Sequence, residues 1–105
     1  MATSVIETGD RRRYVRLQFG IRIFEEKDWM LRDLSAGGCF VETSKPLPPG
    51  SEVNLRFPIP LEGQYVTIVA SGLVRRRESG GMAIKFVDLE PLYSSILKEF
   101  VNTYK

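Results

Sequence analysis

Apolar and polar residues alternate with a period of two along several short segments of this chain. The clearest alternation runs over residues 15–23, where every second position is Val, Leu, Phe or Ile. This pattern is typical of a strand with one face on a core and the other in solvent. Turn-forming residues separate six such segments, and Glu78-Ser79-Gly80-Gly81 is a hairpin turn signal. The predicted strands are 15–23, 29–34, 39–43, 52–57, 64–76 and 82–87, and Pro58 and Pro60 are expected to end the fourth.

The period becomes helical after Asp88, which is a candidate N-cap, and Pro91 is tolerated in a first turn. Six strands followed by one helix predict an all-β fold with one helix. We expect a six-stranded antiparallel β-barrel with the C-terminal α-helix covering its end or side. Residues 1–10 are predicted to be a flexible arm, and 11–105 a single barrel domain. The helical stripe consists of Leu92, Ile96, Phe100 and Tyr104, with Leu97 and Val101 beside it.

Missing residue types exclude several classes of chemistry. The chain has no histidine, so His-based acid–base catalysis and His metal sites are excluded. One cysteine, Cys39, can build neither a thiolate metal site nor an internal disulfide, and it fits a reducing cytosol. No nucleotide-binding glycine fingerprint is present. We therefore expect no enzyme activity and no cofactor.

Charge and hydropathy restrict the partners. A formal net charge of +2 is too small to indicate general nucleic-acid binding. Phe19, Phe57 and Phe86 share the phase of the core aliphatics, which argues against a single-stranded nucleic-acid binder. No apolar run approaches the roughly 18 residues of a membrane helix, and no signal-peptide core is present. We expect a cytoplasmic protein with no membrane insertion and no nucleic-acid partner.

Two polar segments are brought together by the first predicted hairpin. They are the basic run Arg11–Arg16 and the turn-like segment Asp33–Gly38. A turn centred near Glu26 places Arg16 roughly opposite Ala36, so both segments meet at one rim of the barrel. Several guanidinium groups then face a small polar loop, which is an arrangement suited to an anionic, planar ligand.

Each residue type at this rim suits a nucleotide. The arginine fork pairs bidentately with phosphate or with the O6/N7 edge of guanine. Arg12 and Arg16, four residues apart in a non-helical segment, can grip different parts of one ligand. Asp33 can accept hydrogen bonds from the N1–H and N2–H₂ edge of guanine. The loop adds a hydroxyl and two residues that tolerate positive φ: Ser35, Gly37 and Gly38.

Each piece taken alone also has a simpler interpretation. A triple arginine near an N-terminus is usually a solvated arm, and Asp33 could cap its own loop. The second basic run, 75–77, is by itself more typical of a charged strand end. The aromatic residues Trp29, Phe24 and Phe40 are expected to pack in the core or the hairpins and not to stack on bases.

In combination, Arg12-x-x-x-Arg16 followed by Asp33-x-Ser35-x-x-Gly38 resembles the paired signature of PilZ domains, bacterial receptors for cyclic di-GMP. The resemblance covers nearly the whole chain. It implies a six-stranded barrel with a C-terminal helix. It also implies that Arg12 and Arg16 hold guanine and phosphate groups while Asp33, Ser35 and Gly38 surround the other side.

Two further residues enter through the resemblance. Arg11 stands immediately before the first motif arginine, where a basic residue implies binding of two intercalated cyclic di-GMP molecules. Arg75 lies where many relatives carry an apolar or aromatic residue, and it is a candidate to extend the anionic site. The implied function is a non-catalytic receptor in which the ligand orders the N-terminal arm for an effector protein. The alternative is a protein-interaction adaptor barrel that does not bind nucleotide.

Overall fold

The computed structural model describes residues 3–7 and 13–103, with the side chains of Leu17 and of residues 20–103. Within those residues the chain forms seven strands and one helix. In chain order they are β1 (Thr3–Glu7), β2 (Arg13–Arg22), β3 (Met30–Leu34), β4 (Gly38–Glu42), β5 (Glu52–Leu61), β6 (Gln64–Glu78), β7 (Gly81–Phe86) and α1 (Pro91–Thr103).

The strands form one antiparallel sheet in the order β1-β2-β3-β4-β7-β6-β5. The sheet curls until its last strand, β5, reaches the end of β2. The N–H of Phe24, two residues after β2, donates to the carbonyl of Arg56 on β5 at 2.7 Å. Strands β2 to β7 are thereby a nearly closed six-stranded barrel. The predicted fold class, an antiparallel barrel with one C-terminal helix, is confirmed.

Strand β1 is an addition that the sequence analysis missed. It pairs with the first half of β2 on the side away from β3, with Val5 opposite Val15. The predicted domain boundary and the mobility of residues 1–10 remain predictions. Arg11 and Arg12 lie outside the described residues.

Inward-facing aliphatic side chains from every barrel strand fill the core, and α1 closes it by packing against β5 and β2. The helix buries Ile96, Leu97, Phe100 and Val101. Leu92, predicted in the buried stripe, is 64% exposed because it lies in the first turn, before the helix reaches the barrel. Tyr104 lies outside the described residues.

The helix also begins later than predicted. Its first residue is Pro91, and the Ser94 N–H donates to the Glu90 carbonyl at 2.9 Å. The N-cap position is therefore Glu90, and the prediction of Asp88 as N-cap is wrong.

Strand β5 continues through two prolines that were expected to end it. Pro58 pairs with Thr67 and Pro60 with Tyr65 on β6. Both prolines share the phase of Arg56, whose carbonyl points away from β6 toward Phe24. The missing N–H groups therefore fall on the outer edge of β5, where no ladder bond to β6 is lost.

Candidate ligand-binding site

The register of the first hairpin decides how the two polar segments meet. Ile21 pairs with Leu31, which confirms the turn centred at Glu26. A bulge then shifts the register, so that Arg16 pairs with Asp33 and not with Ala36 as predicted. The two polar segments are still brought together, with Arg16 directly opposite the first residue of the second segment.

The bulge contains a glycine that the backbone requires. Gly20 has a φ of +74°, and a Cβ there would lie 2.5 Å from Cγ of Met30. A residue with a side chain would be strained and would collide with β3. Gly20 thus allows the extra β2 residues that bring Arg16 to Asp33.

A row of residues crosses the outer face of the sheet at this level. Asp33 pairs with Phe40, Phe40 with Ala83, and Ala83 with Arg76. The adjacent row points into the core, because its members are buried. They are Leu34, Cys39, Ile84 and Val74. We call Asp33, Phe40, Ala83 and Arg76 the outer row, and the backbone of Arg16 lies beside its first member.

The β3–β4 loop is closed by its serine. The hydroxyl of Ser35 is buried, accepts hydrogen bonds from the N–H groups of Gly37 and Gly38 at 3.2 and 3.1 Å, and donates to the Gly38 carbonyl. The Ser35 N–H also donates to that carbonyl, at 2.9 Å. Three loop N–H groups are therefore used within the loop.

Neither glycine of the loop uses the left-handed region. The expected positive φ at Gly37 and Gly38 is absent from these two described residues. Gly38 is instead required because a Cβ would clash with the carbonyl oxygen of Ile84 on β7. Its role in the structure is the close approach of β4 and β7, which fixes the loop at the strand end.

Asp33 is half-buried, and its Oδ1 atom is inaccessible to solvent. Burial, and secondarily the negative charge of Asp33, raises the pKa of the Cys39 thiol. The thiol therefore stays protonated at neutral pH, which agrees with the expectation that Cys39 is a small buried residue.

Arg75 occupies the irregular position of β6, between Val74 and Arg76, and its side chain is exposed. Its neighbour Arg76 forms an ion pair with Glu78. Among the described residues Arg75 has no ion pair. Arg75 thus lies two strands from β4, near the far end of the outer row.

Phe40 does not pack in the core, which was one of its two expected positions. Cys39 and Val41 on either side of it are buried in the core, whereas Phe40 is half-buried on the outer row. Trp29, by contrast, packs against the core as expected, and Phe24 is 39% exposed beneath the Arg56 guanidinium. The prediction of core packing failed because residues 39–41 are all apolar, so the sequence does not show which of their side chains face the core.

A second polar cluster lies at the opposite end of β3 and β4. Asp28 Oδ2 accepts hydrogen bonds from the Thr43 hydroxyl, the Ser44 hydroxyl and the Ser44 N–H at 2.8, 2.7 and 3.0 Å. Hydrogen bonds from the Ser44 and Thr43 side chains hold the pKa of Asp28 below its usual value. All three donors come from the β4–β5 connection, so the carboxylate ties that connection to the β2–β3 turn. This cluster was not predicted from the sequence.

Metal-binding clusters and membrane-spanning helices are both absent from the described residues. Residues 3–7 and 13–103 contain no group of three or more Cys, Asp or Glu side chains that could hold a metal ion. In that part of the chain, α1 is too short to cross a bilayer as a membrane-spanning helix.

A comparison with models of known protein families shows which family this chain belongs to. The model of the PilZ domain matches residues 10–103. The chain belongs to the PilZ domain family. The resemblance predicted from the two motifs is thereby confirmed, and it places the chain in a family that binds cyclic di-GMP.

A solved structure supports the fold of this PilZ domain. The Bacillus subtilis inhibitor of motility MotI/DgrA superposes with a TM-score of 0.62 at 14% sequence identity. The match covers 96% of this chain and 70% of that chain. A likeness at this identity concerns the fold alone. A search of curated proteins gives no match.

Proposed function

We propose that this PilZ domain is a non-catalytic receptor for cyclic di-GMP. The single observation that carries the proposal is the register of the first hairpin, in which Arg16 is the cross-strand partner of Asp33. One residue from each half of the family signature thus meets on two adjacent strands. Cross-strand partners lie about 5 Å apart, close enough to contact one guanine nucleotide together.

In this proposal Arg12 and Arg16 hold the guanine and phosphate groups, and Asp33 accepts hydrogen bonds from a guanine edge. Arg11 favours an intercalated dimer of the ligand. Ser35, Gly37 and Gly38 border the ligand and keep the loop in the shape that exposes this surface. The hydrogen bonds within the loop support this indirect contribution.

The proposed switch acts through the N-terminal segment, residues 1–14. The ligand's phosphates neutralise the arginine charges and hold this segment against the barrel, which strengthens the existing pairing of β1 with β2. This new surface is then read by an effector protein in the cytoplasm. Ordering the segment costs affinity, so we expect micromolar to submicromolar binding, about −8 to −9 kcal/mol.

Isothermal titration calorimetry with cyclic di-GMP tests the proposal. Arg12→Ala and Arg16→Ala should each weaken binding by roughly several-fold to a hundred-fold, because a charge-assisted hydrogen bond contributes about 1.5–3 kcal/mol. Arg22→Ala is the matched control, since Arg22 is an exposed arginine at the other end of β2. No heat at tens of micromolar ligand would overturn the receptor and favour the adaptor barrel.

Two finer parts of the proposal are tested separately. Binding stoichiometry tests the ligand dimer, and hydrogen exchange tests the switch. Two ligands per protein, reduced to one by Arg11→Ala, is the expected result for the intercalated dimer. Ligand-dependent protection of amides in residues 1–14 is expected for the switch. Equal exchange with and without saturating ligand would contradict the switch while leaving binding intact.

A further inference from the structure

Phe40 is a large aromatic residue on the solvent side of the sheet, in the outer row between Asp33 and Ala83. The side chains before and after it on β4 belong to the core, and its own does not. Phe40 therefore contributes little to core packing. Its position beside the candidate ligand site suggests another role.

The sheet beneath the ring carries almost no side chains. A Cβ at Gly81 would lie 2.5 Å from Cε2 and Cζ of Phe40, so the ring rests on the Gly81 backbone. The other outward-facing residue of this part of β7 is Ala83, which adds one methyl group. The sheet supports one side of the ring, and Phe40 as a whole remains partly accessible to solvent.

Charged residues lie on either side of Phe40 across the sheet, one adjacent and one two strands away. Asp33 is its cross-strand partner on β3, and the exposed Arg75 lies on the far side of β7. An aromatic face between a carboxylate and a guanidinium matches the parts of a purine nucleotide. The face takes the base and the carboxylate takes its donor edge, while the guanidinium, two strands from β4, attracts the phosphates without direct contact.

We propose that Phe40 is a stacking platform for a guanine base of the bound ligand. This inference rests on the proposed function, because it needs cyclic di-GMP at Arg16 and Asp33. Asp33 contacts the edge of a guanine, whereas Phe40 contacts a face. The two contacts do not compete for the same atoms, and together they fix the plane and the rotation of a base.

Calorimetry of Phe40 variants tests the platform. Phe40→Leu keeps an apolar cover over Gly81 but removes the aromatic face, whereas Phe40→Trp enlarges that face. We expect the affinity for cyclic di-GMP to fall roughly 5- to 100-fold in Phe40→Leu, as for base–aromatic stacks truncated elsewhere. Phe40→Trp should bind at least as tightly as the parent protein. Leu92→Ala is the control, because Leu92 is an exposed apolar residue on α1.

Two further readouts separate stacking from a structural role. The guanine H8 resonance of bound ligand should shift upfield in the parent protein and in Phe40→Trp, and should lose this ring-current shift in Phe40→Leu. The midpoint of thermal unfolding without ligand should be unchanged within about 2 °C in Phe40→Leu.

The outcomes keep the two proposals distinct. Absence of binding to the parent protein overturns the receptor, and the platform with it. Normal binding by Phe40→Leu with the H8 shift retained overturns the platform alone. Weak binding by Phe40→Leu with a collapsed unfolding midpoint also counts against the platform, since the ring would then serve the fold.

Discussion

The two ends of the β3–β4 pair use the same residue types in opposite ways. At one end the Asp28 carboxylate accepts three hydrogen bonds and holds the connection after β4. At the other end the Ser35 hydroxyl closes the loop, and Asp33 lies on the strand opposite Arg16. An Asp beside hydroxyl residues is thus a structural tie in one place and a candidate ligand contact in the other. The two ends differ in the group that accepts the loop's hydrogen bonds. It is the Asp28 carboxylate at one end and the Ser35 hydroxyl at the other.

The largest expected effect comes from the glycines at these two ends. Gly38→Ala should lower the free energy of unfolding by about 3 kcal/mol, because the new Cβ meets the backbone of β7 and the strands must separate. Gly80→Ala is the control at the Asp28 end. It meets no atom within 4 Å and bears only the strain of its φ of +87°, about 1–2 kcal/mol. Urea unfolding measures both.

Equal losses for the two glycine variants would contradict this difference. They would mean that β4 and β7 move apart easily near Ile84, and that the loop bearing Ser35 is not held by their close approach.

The sequence predicted most of the barrel because alternation and turn signals are local. The turns at Glu26 and at residues 78–81 have the expected register. The bulge around Gly20 was not predictable, since one glycine in an alternating run gives no sign of extra residues. The continuation of β5 through Pro58 was missed for a different reason, because a sequence does not say which strand forms an edge.

The candidate site was predicted less completely than the fold. The motif spacing identified Arg16 and Asp33 as candidate site residues. The observed register brings the two segments that contain them together, as predicted. The outward-facing position of Phe40 was missed, because only the tertiary structure shows which face of an apolar run meets the core. The internal closure of the loop was not predicted either, since the sequence does not show that the Ser35 hydroxyl accepts from two loop N–H groups.

The second comparison is between the serines at the two ends of the β3–β4 pair, Ser35 and Ser44. Ser35→Ala should destabilise the protein by about 1–2 kcal/mol, because it leaves two loop N–H groups without their acceptor, one of them on the buried Gly38. Ser44→Ala should cost less, since the Ser44 hydroxyl is exposed and Asp28 keeps two other donors. Chemical denaturation of the pair checks the order, and a larger loss for Ser44→Ala would reverse the assignment.

The Asp28 tie should also make stability depend on pH. Its pKa is below the ordinary value of 3.8 in the folded state, so its contribution is present above that value and is lost as the pH falls. Asp28→Asn removes this titration. The difference in unfolding midpoint between parent and variant should be constant above about pH 5 and shrink toward pH 3. A difference that grows on acidification would contradict the lowered pKa.

The smallest expected effect concerns how far the ligand-binding surface extends across the sheet toward β6. Arg75 is exposed and lies two strands from β4, so Arg75→Ala should weaken cyclic di-GMP binding only about two- to threefold. The loss should diminish at high salt, because an exposed charge is screened. Calorimetry at two salt concentrations, with Arg22→Ala as the matched arginine control, makes the measurement. A loss above tenfold that persists in salt would instead indicate direct phosphate contact from β6, and the outer row would then be bound along its whole width.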